Sequence, residues 1–332
     1  MNIGFCVRHF TERGTEVAIY DYADYNEKIL KNKSYIIYFS DDFRKRQGWA
    51  FCHRQSFPKF QARFEMIQVN DIGEMRGIIE KYKLNFFHTL TAGETEPMYR
   101  FHDKNLWGSC KTIKHCVFNT LGKEADYYIT IGETLNHRFG TNLKVIPHIV
   151  HLPKHERNMR ERLGIPKDAI VIGRHGGFDS FDVGMAKNAI QHFLALEEES
   201  KNVYFLFVNT AKFIHNHPRV KHLDLVVDLE EKVEFINTCD AMIHARQIGE
   251  TFGLAVAEFS FMNKPVITTT CGDREHLHIL GNRAIIFETM GELVDILKNI
   301  RERIAIRSDW NAYEAYSPER VMDKFRDIYN TL

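Results

Sequence analysis

The sequence predicts an α/β protein made of two doubly wound domains, and three features carry that prediction. Apolar runs of strand length alternate with helix-length segments along the chain, the pattern of a mostly parallel sheet with helices on both faces. The alternation pauses once, near the middle, and then starts again. The length, 332 residues, exceeds what one simple core holds and suits two domains of ordinary size.

The first series of expected strands is Ile3–Val7, Tyr35–Phe39, Phe64–Val69, Asn85–Leu90, Cys116–Asn119 and Tyr127–Ile131. A helix is expected over Asp71–Tyr82, where Ile72, Met75, Ile78, Ile79 and Tyr82 recur at helical spacing behind a capping Asp71. The pause spans Val145–Pro166, a charged stretch containing Pro147, Pro153 and Pro166, read as the interdomain link. The second series has strands at Ala169–Gly173, Val203–Val208, Ala241–Ala245, Pro265–Thr269 and Ala284–Phe287. Its helices are expected at Met185–Glu199, Glu230–Thr238, Thr251–Met262 and Glu292–Arg303, with a last helix over Pro318–Leu332. The expected domains are 1–150 and 151–316, with 317–332 as the closing helix. Two such domains would face a central cleft, where strand C-termini meet.

Composition narrows the function. Lys plus Arg and Asp plus Glu number 44 each, so no global charge draws the chain to nucleic acid. No apolar window reaches 18 residues, so no membrane span is expected, although peripheral contact with a membrane stays open. The start, MNIGFCVRHF, lacks the pattern of a signal peptide, and the scattered cysteines read as free thiols, so a cytoplasmic protein is expected.

The densest chemistry lies between Cys239 and His276. Strand Ala241–Ala245 runs through a polar loop into Gly249-Glu250-Thr251-Phe252-Gly253-Leu254, directly ahead of a helix. The first amides of a helix lack partners within it and its dipole is positive there, so a diphosphate would sit well at that point. Gly253 would let an oxygen approach the backbone. Glu250 and Glu258 could bracket a sugar nucleotide, one accepting from sugar hydroxyls and the other from ribose. Alternatively, Glu250 only accepts from a helix start and Glu258 lies on a solvated face. A second cluster, Gly173-Arg174-His175-Gly176-Gly177-Phe178-Asp179, follows the first strand of the second domain. There Arg174 could clamp a diphosphate in the room the glycines leave. Lys187 could assist or simply be exposed on the next helix, and Asp179 and Phe181 could brace the loop.

The pattern Glu250-x7-Glu258 with Thr-Phe-Gly inside it resembles the signature of retaining GT-B glycosyltransferases, the GT4 family in particular. Asn263-Lys264-Pro265-Val266-Ile267 resembles that family's G-x-P-V-I strand, and Cys271-Gly272-x-x-Glu275 resembles its G-G-x-x-E turn. Cys239-Asp240 resembles its A-D lead-in to a strand, and the closing helix resembles one that crosses back to the N-terminal domain. The likeness is specific over about Asp240–Glu275 and diffuse elsewhere.

The resemblance implies a GT-B fold, two Rossmann-like domains facing a central cleft, and a hexosyltransferase-like enzyme. It implies transfer of a sugar with retention from a nucleotide-diphosphate donor to the hydroxyl of a glycan, lipid-linked or other acceptor. Glu250 would touch the donor sugar, the amides at Thr251, Phe252 and Gly253 would face its oxygens, and Glu258 would hold the ribose. The family also places an arginine where Arg174 stands, with a lysine about five residues on; here Lys187 comes later, so the loop is atypical. In the first domain the family has a glycine-containing loop where Arg13-Gly14-Thr15 lies, and a plain turn explains Gly14 equally well. It often has a sugar-facing histidine near His88, read here as ending the fourth strand; His115 and His148 are rivals. Arg44-Lys45-Arg46 with Trp49 and Phe51 reads as a solvated loop or an acceptor surface for an anionic glycan.

The sequence holds no Asp-x-Asp, no Walker lysine loop, no Gly-x-Gly-x-x-Gly and no Gly-x-Ser-x-Gly. His215-x-His217 and His276-x-His278 lack a clear third ligand, so no metal is expected. Two other readings remain: a nucleotide-sugar epimerase of the same fold, or a non-catalytic nucleotide-sugar-binding module.

Overall fold

The structure is a computed structural model that describes residues 1–11, 14–49, 52 and 54–332. The chain divides into two units, Met1–Ile149 with Tyr316–Leu332, and Val150–Ala315.

The first unit carries β1 (Asn2–Cys6), β2 (Lys33–Phe39), β3 (Glu65–Val69), β4 (Phe86–Thr91), β5 (Lys111–Cys116), β6 (Tyr127–Thr130) and β7 (Lys144–Val145). They form one sheet in the order β3-β2-β1-β4-β5-β6-β7, and every pairing is parallel. The order reverses between β1 and β4, the place where open α/β sheets receive ligands. All six residues of β4 are buried, including the polar His88, Thr89 and Thr91, as befits a central strand of a parallel sheet covered on both faces.

Local signals in this unit follow ordinary helix chemistry. Asp71 accepts from the Gly73 amide at 2.8 Å, ahead of a 3₁₀ turn (Ile72–Glu74) and helix Met75–Tyr82. The closing helix, Pro318–Thr331, begins at Ser317, whose side chain accepts from the Arg320 amide. It buries Val321, Met322, Phe325, Ile328 and Tyr329, a stripe at helical spacing. Phe325 meets Tyr22 at 5.0 Å and Tyr329 meets Phe86 at 4.9 Å between ring centroids.

The second unit repeats the plan with β8 (Ile170–Arg174), β9 (Val203–Val208), β10 (Val220–Leu223), β11 (Ala241–His244), β12 (Gly249–Glu250), β13 (Val266–Thr268), β14 (Asp273–Arg274) and β15 (Ala284–Ile286). Six of them form a parallel sheet in the order β10-β9-β8-β11-β13-β15, while β12 and β14 pair as a separate ribbon. Its core gathers Ile172, Phe205, Phe207 and Ile243 from the sheet with Ile190, Phe193 and Leu297 from flanking helices.

One strand lies elsewhere than expected. The fifth strand is Lys111–Cys116, ending where the expected Cys116–Asn119 begins. Its Lys114 is buried, its side chain fully covered between Glu96 at 3.1 Å and Glu124 at 2.5 Å. A buried lysine in a strand is stable only with such partners, and they come from distant loops. The short strands β7, β10, β12 and β14 were also not among those expected.

Candidate active site

Both sheets reverse order beside their first strand, and in the second unit polar groups gather there, at the ends of β8 and β11. Arg174 closes β8 and is 3% exposed. Its Nη1 donates to Asn209 O at 3.1 Å and Thr210 Oγ1 at 2.5 Å. Its Nη2 donates to Gly177 O at 2.9 Å and Ser180 Oγ at 2.6 Å. The guanidinium therefore braces the loop that follows it. Gly176, at φ +150°, would bring a β-carbon to 3.0 Å from Arg174 Nη2, so the glycine makes room for the brace. Burial pulls the arginine down to about 10, with nearby Glu250 opposing the change. Lys187 sits on helix Gly184–Ala195, its Nζ 5.8 Å from the Phe213 ring centroid. The Arg174 guanidinium bonds instead to its own loop and to Asn209 and Thr210.

Glu250 is placed by the β12–β14 ribbon. Gly249 (φ +64°) would set a β-carbon 2.1 Å from Asp273 O, and Gly272 (φ +63°) one 2.0 Å from Ile248 C. Both positions thus require glycine for backbone conformation and for space. Glu250 Oε1 lies 3.2 Å from His244 Nε2, and Oε2 lies 3.0 Å from Arg246 Nη1. Burial alone would raise this carboxyl; the hydrogen bond and charge of His244 and the Arg246 guanidinium outweigh it and bring it to about 2. The side chain is 20% exposed.

The helix after Glu250 begins later than expected. Gly253 adopts φ +82°, ψ +65°, a left-handed conformation outside the helix, which runs Leu254–Phe261. Thr251 and Phe252 therefore precede the helix, and its unbonded first amides belong to Leu254, Ala255 and Val256. No side chain caps this start. A β-carbon at Gly253 would lie 3.2 Å from both Cβ and Cγ of Glu250, so the Glu250 stem packs against the residue that opens the helix. Phe252 is 1% exposed and its carbonyl accepts from Tyr313 Oη at 3.2 Å. Thr251 is buried as well.

Glu258 is not on a solvated face. It is 7% exposed, with Lys232 Nζ at 2.8 Å from Oε1 and His175 Nε2 at 3.0 Å from Oε2. Burial would raise its carboxyl; Lys232 and His175 hold it at about 2. Both oxygens are engaged within the unit.

In the first unit, the reading of His88 needs correction. β4 continues to Thr91, so His88 is its third residue, 2% exposed and inside the sheet rather than at its end. Its ring stacks on His115 at 5.4 Å and Tyr22 at 6.2 Å. Burial lowers it to about 3. Gly14 opens helix Gly14–Lys28 and is exposed; Arg13 lies outside the described residues. The basic stretch is a helix, Asp41–Arg46, rather than a loop. Arg44 is buried, with Trp49 lying 4.3 Å from the Arg8 guanidinium and 5.2 Å from that of Arg44; Phe51 is outside the described residues.

Sequence reasoning passed over His244, Arg246, Lys232 and His175. For His244 and Arg246 a signal existed: His244 ends β11 and Arg246 follows in the next loop, six and four residues before Glu250, which a tight turn folds back toward them. Lys232 comes from helix Leu229–Thr238, and nothing in its spacing pointed to Glu258. Among the described residues no group of three or more His, Cys, Asp or Glu side chains could hold a metal ion, and no helix is long and apolar enough to cross a membrane.

Several solved glycosyltransferase structures resemble the chain over nearly its whole length. A glycosyltransferase from Rickettsia africae has a TM-score of 0.69 at 16% identity, covering 99% of this chain and 98% of its own. HepE from Anabaena, in complex with UDP and glucose, has a TM-score of 0.70 at 14% identity, covering 100% of both. Sucrose-phosphate synthase from Thermosynechococcus elongatus has 0.70 at 12% identity, covering 99% and 98%. At such identities the likeness establishes the fold, the two-domain Rossmann-like GT-B fold. No protein-family model matches the sequence and no curated protein does.

Proposed function

We propose that the protein is a glycosyltransferase that moves a sugar from a nucleotide-diphosphate donor to an acceptor hydroxyl, with retention and without a metal ion. The observation that carries this reading is the ionised Glu250, packed against the glycine that opens an uncapped helix. A carboxylate there accepts from sugar hydroxyls, while the amides of Leu254–Val256 and the Arg246 guanidinium receive the diphosphate. In the reaction the bond from the anomeric carbon to the phosphate oxygen breaks, and the acceptor oxygen bonds that carbon on the same face. The acceptor's proton passes to the departing phosphate. Fixed donors around that oxygen favour charge separation. Retention rests on the resemblance of Glu250-x7-Glu258 to the GT4 signature. Metal independence rests on these cationic groups and on a sequence without Asp-x-Asp.

Arg174 acts in this reading by shaping the loop, and Glu258 by anchoring Lys232 and His175 beside the site. HepE's complex with UDP and glucose makes UDP-sugars the first donors to try. The test is a thermal-shift screen with UDP, GDP, ADP and their sugars, followed by transfer assays with and without EDTA. Stabilisation by one nucleotide and EDTA-resistant transfer that Glu250→Gln abolishes are the expected results. Stabilisation by no nucleotide overturns the reading, and conversion of the donor sugar without acceptor replaces it with epimerisation.

A further inference from the structure

The Glu250 carboxylate ends a chain of bonds that runs from the helix start into the core. His244 Nε2 lies 3.2 Å from Glu250 Oε1. His244 Nδ1 lies 2.9 Å from Thr268 Oγ1, and Thr268 Oγ1 lies 3.2 Å from His276 Nε2. His244 ends β11 and Thr268 ends β13, and the two are register partners on adjacent parallel strands. His276 enters from helix Glu275–Leu280, its ring edge-on to His244 at 5.0 Å. All three are buried, Thr268 and His276 completely.

The direction of the first bond follows from the chemistry of its members. An ionised carboxylate only accepts, so His244 Nε2 carries a hydrogen whether the ring is neutral or charged. In the neutral ring Nδ1 accepts from the Thr268 hydroxyl, whose oxygen accepts from His276 Nε2–H. In the charged ring Nδ1 donates to Thr268, whose hydroxyl then donates to His276. Either arrangement satisfies each atom of the chain and leaves a donor aimed at Glu250.

We propose that His244 is a positioning residue for the sugar-contacting carboxylate. Anchored through Thr268 and His276, it fixes the plane of the Glu250 carboxylate, with Arg246 on the other oxygen, and leaves the remaining lone pairs to the donor sugar. This rests on the transfer reading above. A carboxylate held at both oxygens keeps one geometry, and preorganisation of that kind depends on the groups behind the contact. The charged and titratable groups that face Glu250 are His244, Arg246, Arg174 and His276.

The test compares His244→Leu with His244→Gln in the full-length protein. Leucine removes the donor, while the glutamine amide can restore an N–H near the former Nε2. His244→Leu is expected to lower kcat by about 100-fold, as for a misplaced reacting group, with UDP affinity by calorimetry unchanged. His244→Gln is expected to recover most of that loss. The acid limb of the kcat/KM profile should move to higher pH in the leucine variant, because Glu250 loses a donor that favours its ionised form. A carboxyl 13C titration, assigned with Glu250→Gln, reads the same shift without turnover. Wild-type kcat in His244→Leu, an unmoved Glu250 titration, or a glutamine variant as impaired as the leucine one would overturn the proposal. A wild-type protein that transfers no sugar, while Glu250 still shifts on losing His244, would refute the functional reading and leave the coupling intact.

Discussion

β4 and β11 hold equivalent places in their sheets, each beside the first strand across the reversal of order, and each carries a histidine with a different fate. His88 is third of six residues in its strand, both ring nitrogens buried and unpartnered. His244 is last of four and reaches Glu250 and Thr268. Two or three residues along a strand separate an imidazole packed among rings from one bonded to a carboxylate and a hydroxyl. The strand's C-terminal edge, where the chain turns, is where a polar side chain finds partners. Further in, His88 has neighbouring rings against it.

The widest gap expected between the two regions lies in tolerance to a single methyl. Gly249→Ala forces a β-carbon into Asp273 O at a positive φ. It is expected to cut transfer by about 100-fold and to destabilise the fold by about 3 kcal/mol, measured by assay and urea unfolding. Full activity would show that the ribbon does not place Glu250.

Next comes Arg174→Ala, which strands the carbonyls of Gly177 and Asn209. A loss of about 3 kcal/mol is expected from buried bonds to a charged group. A collapse in UDP affinity with stability unchanged would instead make Arg174 a ligand-binding residue.

His88 sharpens the comparison from the other side. Its folded value of about 3 lies below the ordinary 6.5, so between those values the unfolded chain binds the extra proton. Stability from neutral His88 is thus complete above about pH 6.5 and falls as the pH drops toward 3. His88→Leu should flatten the acid-side slope of unfolding free energy by about 1.4 kcal/mol per pH unit, with transfer at neutral pH retained. An unchanged slope would mean that His88 charges without unfolding. The smallest effect belongs to Lys187→Ala, expected to change stability by less than about 0.5 kcal/mol and UDP affinity not at all. A large loss of affinity would return Lys187 to the site.

The fold was legible because alternation and strand length are local properties. Val203–Val208 matches its expected bounds, and others fall within a few residues. Lys111–Cys116 was not, because its lysines and histidine read as surface until Glu96 and Glu124 are known to cover Lys114. In the site, the stretch from Glu250 through Gly253 to Glu258 could be read from spacing and glycines. The engagement of Glu258 by His175 and Lys232, and of Arg174 by its own loop, could not. Such contacts depend on which loops meet, and no periodicity encodes that.

The ribbon under Glu250 has one further consequence. At Gly249 and Gly272 main chain touches main chain, with no side chain between. The spacing from the carboxylate to the helix opening is therefore written in peptide geometry, indifferent to drift in the surrounding loops. A library randomised over residues 246–276 and selected for function would return only glycine at these two positions.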